Sequence, residues 1–170
     1  MVFFLIGFMG CGKTHWGKIW SDSCGYSFAD LDSAVENATG TSIKTIFDTR
    51  GENHFRDIET ALLRQLATAQ NIIVSCGGGT PCYNNNMQWM NKNGITVYLK
   101  ASPKLLAQRL LNEKQHRPLI KDIQDSDLEA FIMDKLSMRE PVYNQATITL
   151  DAANIAIETF SLLNKEKKIS

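Results

Sequence analysis

The segment Gly7-Phe-Met-Gly-Cys-Gly12-Lys13-Thr14 satisfies the spacing GxxxxGK[ST], and it comes directly after an apolar run and opens a stretch of helical periodicity. Glycines at these positions let the backbone turn its N–H groups inward around phosphate oxygens. The helix that follows adds the positive end of its dipole. In such a cradle Lys13 reaches the β- and γ-phosphates of a nucleotide and the Thr14 hydroxyl ligates Mg²⁺. The motif predicts nucleotide binding with phosphoryl chemistry, and does not by itself separate a kinase from a GTPase, a motor ATPase or a nucleotide-gated switch.

Further residues narrow the choice. Asp30-Leu31-Asp32 follows a second short apolar run; in an extended segment, alternation puts both carboxylates on one side, where one serves Mg²⁺ and the other meets an acceptor hydroxyl. A helix N-cap pair would read the same way. Arg56 and Glu59 stand three apart on one helical face and either pair with each other or meet a substrate. Gly77-Gly78-Gly79 ends a third apolar run, and permits a ligand close to the backbone at the carboxyl edge of a sheet or forms a plain tight turn. Arg117 and Arg139 are each open to a phosphate or carboxylate role or to an ordinary solvated one. No NKxD-type guanine signature occurs. A small-molecule kinase needs only a second site for the acceptor and a flap that keeps water out.

The elements that must position these groups alternate. Val2 to Ile6, Tyr26 to Ala29, Ile72 to Val74, Ile95 to Leu99 and Thr147 to Leu150 read as strands. Helices are expected from Lys13 to about Ser23, with Trp16, Ile19 and Trp20 on one face, then two or three between Ser33 and Ala69, and others starting near Ser102, Ser126 and Asp151. Alternation of this kind predicts a parallel sheet covered on both faces, a three-layer α/β fold. Asn112 to Asp125 is polar, contains Pro118 and interrupts the alternation, which makes it the expected mobile lid.

The 170 residues, 44% hydrophobic, suit one domain able to bury about 70% of the surface its unfolded chain exposes. Eighteen basic residues balance eighteen acidic ones, which speaks against nucleic acid or an anionic membrane as partner. Cys11, Cys24, Cys76 and Cys82 form no CxxC pair, as expected of free thiols in a reducing compartment. The apolar start is too short for a signal core or a membrane span, so a cytoplasmic protein is expected. The lysine-rich tail (Lys165, Lys167, Lys168) is expected to be solvated.

Taken in order, Leu5 to Thr14, Phe28-Ala-Asp-Leu-Asp32, Ile46-Phe47 with Gly51-Glu52, Phe55-Arg56 with Glu59, the triple glycine, Arg117-Pro-Leu and Arg139-Glu-Pro-Val-Tyr143 resemble shikimate kinase, of the nucleoside-monophosphate-kinase-like branch of P-loop folds. The resemblance spans residues 3 to 150. It implies a five-stranded parallel sheet of order 2-3-1-4-5 and transfer of the ATP γ-phosphate to the 3-hydroxyl of shikimate, a step of aromatic amino acid biosynthesis, by a monomer. It implies ATP held by Gly10, Cys11, Gly12, Lys13, Thr14, His15 and Arg117, and Mg²⁺ held by Thr14 and Asp30. Shikimate would be held by Asp32, Arg56, Gly78, Gly79 and Arg139, with Lys13, Asp32 and Arg117 as the catalytic set. His15 stands where this family usually has Thr or Ser, and Cys11 where Ser or Ala is common; a thiol beside Lys13 at a helix N-terminus is a candidate for oxidation that blocks ATP. No base contacts are assigned, because the segment after Leu150 lacks an obvious proline-bearing loop. Rival readings are a gluconate kinase and an ATP-binding regulatory module without turnover.

Overall fold

The computed structural model describes residues 1–114, 119–161 and 163. Its centre is β1 (Val2–Ile6), every residue of which is buried. A strand with apolar groups on both faces has to lie in the interior of a sheet covered on both sides. β3 (Ile72–Ser75), also buried throughout, flanks it on one side, and β4 (Ile95–Lys100) flanks it on the other. β2 (Ser27–Asp30) and β5 (Ile148–Asp151) form the edges. The order is β2-β3-β1-β4-β5 and all four pairings are parallel. Asp30 and Leu5 both lie opposite Ser75 in the register, so the carboxyl ends of β1, β2 and β3 reach one edge together. Ligands of open α/β sheets bind at that edge.

The helix α1 (Lys13–Cys24) begins directly at the glycine loop and packs so closely on the sheet that a Cβ at Gly17 would come within 2.5 Å of the Phe28 ring. Trp20 is fully buried and continues a column of rings, stacked on Trp16 at 5.8 Å and on Phe160 at 5.4 Å. α2 (Leu31–Thr39) and α3 (Ile43–Leu66) follow β2. α3 is broken at Gly51, whose φ of 80° and ψ of 172° are not helical, which accommodates the expected third helix. These helices carry a satellite core of Val35, Ile46 and Phe55, separate from the main one. α5 (Pro103–Leu111) starts where expected, capped by the Ser102 hydroxyl, and α6 (Leu128–Tyr143) follows a 3₁₀ turn at Asp125–Asp127.

Two features differ from expectation. α4 (Asn86–Asn93) lies where no helix was expected; Met87 and Met90 are fully buried, but the run of asparagines around them hides the apolar stripe. No helix starts at Asp151, which ends β5. Its carboxylate accepts from Ala153 N at 3.0 Å and from the Asn154 amide at 2.6 Å, which closes a turn and delays helical backbone to residue 158. Within the expected lid, Ile120 is fully buried while Leu119 is 71% exposed, and Lys114 pairs with Asp125 at 2.5 Å. Arg117, Pro118 and the lysines of the tail lie outside the described residues. Among the described residues no helix is long and apolar enough to cross a membrane.

Candidate active site

The glycine loop joins β1 to α1 with Gly7, Gly10 and Gly12 at φ of 139°, 81° and 101°. These are conformations that side chains with a Cβ resist. The Lys13 ammonium folds back into the loop, donating to Gly7 O at 2.9 Å and Phe8 O at 3.0 Å, with Cys11 Sγ at 3.7 Å. Cys11 is wholly buried, packed against Gly7, which withdraws it from oxidants in this conformation. Arg109 of α5 donates to Gly10 O and Cys11 O at 3.2 and 3.3 Å and to Ala152 O at 3.1 Å. One guanidinium thereby ties the loop to the segment after β5. His15 is exposed at the mouth of the cleft, its ring edge-on to Trp16 at 5.2 Å.

Beside the loop opens a cleft of about 310 Å³ lined by Lys13, Thr14, Asp30, Asp32, Ser75 and Gly78 among others. Thr14 Oγ1 donates to Asp30 Oδ2 at 2.8 Å and lies 3.2 Å from Ser75 Oγ. The two aspartates are not arranged as an extended pair. Asp30 is the N-cap of α2, its Oδ1 accepting from Ser33 N at 3.2 Å, and Asp32 sits in the first turn of that helix. The expected alternation fails because the cap starts the helix at Leu31. Both carboxylates nevertheless line the same cleft, through helical turn rather than strand pleat.

On the far side the triple glycine runs between charged side chains. A Cβ at Gly77 would lie 2.8 Å from Asp32 Oδ1 and 3.1 Å from Glu59 Oε1; at Gly78, 3.3 Å from Arg139 Nη1; and at Gly79, 2.5 Å from Arg56 Nη2. Close approach, rather than a positive φ, is what requires glycine here. Arg56 and Glu59 are both buried and pair at 2.9 Å, while Arg56 Nη2 reaches Glu52 at 2.9 Å. Burial works against the charge of Arg56, but Glu59 and Glu52 outweigh it and hold the guanidinium firmly protonated. Glu59 also accepts from the Thr80 hydroxyl at 2.5 Å, and the Tyr143 hydroxyl donates to Gly78 O. The aspartates, the glycines and both arginines are thus drawn to one edge of the sheet.

Asp32 reaches solvent through the cleft, yet its carboxyl is pushed up to about 6, first by the protein crowding it and then by the negative charges of Asp30 and Glu59; Lys13 and Arg56 pull the other way. A carboxylate titrating near neutrality takes a proton from a hydroxyl more readily than one of ordinary acidity. Thr14, Asp30 and Ser75 offer oxygen donors only, the type a hard divalent cation takes. The site therefore combines a glycine loop with inward-folded lysine, a group of oxygen donors, a carboxylate raised toward neutrality and two guanidinium groups against the triple glycine. Arg109, Ser75 and Tyr143 were assigned no role from sequence. Ser75 alone carried a local signal, a hydroxyl ending a strand just before the glycines.

Comparison with known proteins fits this geometry. The family model described as shikimate kinase matches residues 9–164. A shikimate kinase of Parabacteroides distasonis is 43% identical over 156 residues, covering 92% of this chain and 90% of the relative. The crystal structure of shikimate kinase from Bacteroides thetaiotaomicron superposes with a TM-score of 0.91 at 35% identity, covering 100% of this chain and 99% of that one. A shikimate kinase from Acinetobacter baumannii in complex with shikimate gives 0.82 at 31% identity, covering 99% and 91%. With the cradle, the strand order and the paired arginines in place, the chain belongs to the shikimate kinase family.

Proposed function

We propose that this chain transfers the γ-phosphoryl group of ATP to the 3-hydroxyl of shikimate, giving shikimate 3-phosphate and ADP, as a monomeric cytoplasmic step of aromatic amino acid biosynthesis. One observation carries the choice of acceptor: two guanidinium groups, those of Arg56 and Arg139, meet the backbone of adjacent glycines, Gly79 and Gly78, and Gly78 lines the cleft together with Asp32. Guanidinium donors form a planar fork that matches a carboxylate. A ring bearing a carboxylate at one end and hydroxyls at the other has the groups that the arginines and Asp32 would each meet.

In the reaction an oxygen lone pair of the acceptor attacks Pγ and the bond from Pγ to the bridging oxygen of ADP breaks. Asp32 orients the attacking hydroxyl and takes its proton. Lys13 leaves the carbonyls of Gly7 and Phe8 for the β- and γ-phosphate oxygens, and with Arg117 it offsets the charge that spreads there during transfer. Gly10, Cys11, Gly12 and Thr14 present backbone N–H groups to the phosphates, and His15 lies beside them at the mouth. Thr14 and Asp30 would hold Mg²⁺, which would supply positive charge against the phosphates during transfer. Glu59 keeps Arg56 in place through a buried ion pair. The chemistry asks for little covalent work from the protein, since positioning and charge neutralisation supply most of the rate.

Gly79→Ala is the direct test of the clamp. Its φ of −88° imposes no strain on alanine, so any effect comes from the methyl group displacing the guanidinium. Displacement of this kind costs about 1–3 kcal/mol. The expected result is a shikimate Kd, read by calorimetry, weakened about tenfold or more, with ATP affinity preserved. An unchanged shikimate Kd contradicts the placing of the acceptor against Arg56.

A further inference from the structure

The guanidinium of Arg56 does not stand free. Two side chains hold its edges: Glu52 accepts from Nε at 3.2 Å and from Nη2 at 2.9 Å, and Glu59 accepts from Nη1 at 2.9 Å. Its face is covered by the Tyr83 ring, whose centroid lies 4.1 Å from the guanidinium carbon, closer than the Phe55 ring at 4.9 Å. Three of the five guanidinium donors are engaged by the two glutamates, which leaves two for a ligand.

Tyr83 is held to this position by the chain around it. The 3₁₀ turn Thr80–Cys82 is fastened at one end by the bond from Thr80 to Glu59. At the other end Asn84 and Asn85 take left-handed backbone, with φ of 49° and 54°. The Asn84 amide donates to the Arg56 carbonyl at 3.2 Å and to Thr60 Oγ1 at 3.1 Å. The fully buried Asn86 donates to Thr60 Oγ1 at 3.1 Å and Thr80 O at 3.0 Å. Apart from the bond between Asn86 and Thr80, which closes the segment on itself, these bonds pin it to the helix turn that carries Arg56. Tyr83 itself is 37% exposed, so its ring fills no core; its contact is the charged face. The hydroxyl meets Glu52, and although burial alone would raise that carboxyl, hydrogen bonds from Arg56 and Tyr83 outweigh it and hold Glu52 below the usual range.

We propose that Tyr83 is a positioning residue for the acceptor clamp: its ring lies on the Arg56 guanidinium and, with Glu52 and Glu59 on the edges, fixes the plane in which Arg56 offers its remaining donors to the carboxylate of the acceptor. This rests on the assignment of Arg56 to that carboxylate. An arginine left to itself samples many rotamers and loses that freedom on binding. A ring on its face and carboxylates on two edges remove the freedom beforehand, which strengthens ligand binding without touching the phosphoryl-transfer step. Because the role is one of orientation, its signature is confined to acceptor affinity.

The test is steady-state kinetics with shikimate on Tyr83→Leu, which keeps bulk but loses the π face, and on Tyr83→Phe, which keeps the ring and loses the hydroxyl. A partly desolvated cation–π contact predicts a shikimate KM raised about three- to thirtyfold in Tyr83→Leu, with kcat and the KM for ATP within about twofold. Tyr83→Phe is expected to recover most of that loss. Tyr83→Gln, which also lacks a π face, takes the place of the leucine variant if the latter does not fold. An unchanged KM without the π face overturns the proposal, and so does a Phe variant as impaired as Leu. Arg56→Lys, run in parallel, keeps a cation for Glu59 but loses the fork, and its shikimate KM should rise. If it rises while Tyr83→Leu has no effect, only the role of Tyr83 falls. If it does not rise, the acceptor clamp falls and takes this role with it.

Discussion

Lys13→Ala is expected to lower kcat by about 10³-fold. Removing one preorganised donor aimed at developing charge in a water-poor cleft costs about 10²–10³ in rate, and a full positive charge on phosphate oxygens stands at the upper end of that range. The resting structure adds a second cost. Its ammonium satisfies the carbonyls of Gly7 and Phe8, and Lys13 is buried, so alanine leaves both acceptors and a void in the cradle. Lys13→Met, which fills the void, separates the two effects. Single-turnover rates should fall almost as far in Met as in Ala, with ATP affinity reduced less in Met. A Met variant within tenfold of wild type would remove Lys13 from the catalytic step.

Asp32→Asn carries the second large effect. An amide cannot accept the hydroxyl proton, and loss of a positioned general base lowers turnover by about 10²–10⁴-fold. In the wild-type enzyme, kcat/KM for the acceptor reports free-enzyme groups, so it should fall as pH drops through about 6, where Asp32 takes up its proton. The asparagine variant should lack that limb. The same group leaves a mark on stability. Its folded value of about 6 stands above its ordinary 3.8, so its protonation contributes stability that is complete below the unfolded value and is lost as pH rises through about 6. Wild type measured against Asp32→Asn should therefore gain stability between pH 7 and pH 4, as read by urea midpoints. A wild-type kcat/KM flat from pH 7.5 to 5, with Asp32→Asn retaining a tenth or more of the activity, would displace Asp32 from this role.

The parts of the molecule legible in the sequence are those whose cause is local. The cradle could be read because glycine spacing, lysine and threonine act within eight consecutive residues. The central strands β1, β3 and β4 were legible because burial on both faces leaves unbroken apolar runs. Asp30 and Asp32 were recognised by type but placed by the wrong geometry: a cap bond from Ser33 N to Asp30 starts the helix earlier than alternation allows, and both groups still face the cleft. α4 was hidden because asparagines at Asn84, Asn85 and Asn86 mark a turn, and only the buried pair Met87 and Met90 betrays the helix. The order of strands came from family resemblance and not from pattern, since parallel crossovers leave no local trace of which neighbour a strand will choose. Arg109 and Tyr83 illustrate the same boundary. Each works on residues far off in the chain, Arg109 on the glycine loop and Tyr83 on Arg56, and nothing in their immediate sequence distinguishes them from ordinary surface groups.

ADP release from Mg²⁺-ATP with shikimate, with gluconate and with no acceptor, using Lys13→Ala as the blank, identifies the acceptor outright. Shikimate-dependent turnover on the order of 1–100 s⁻¹, as for typical kinases, is expected, with only background for the other two. ADP released with gluconate alone, or ATP bound with no turnover on shikimate, would contradict it.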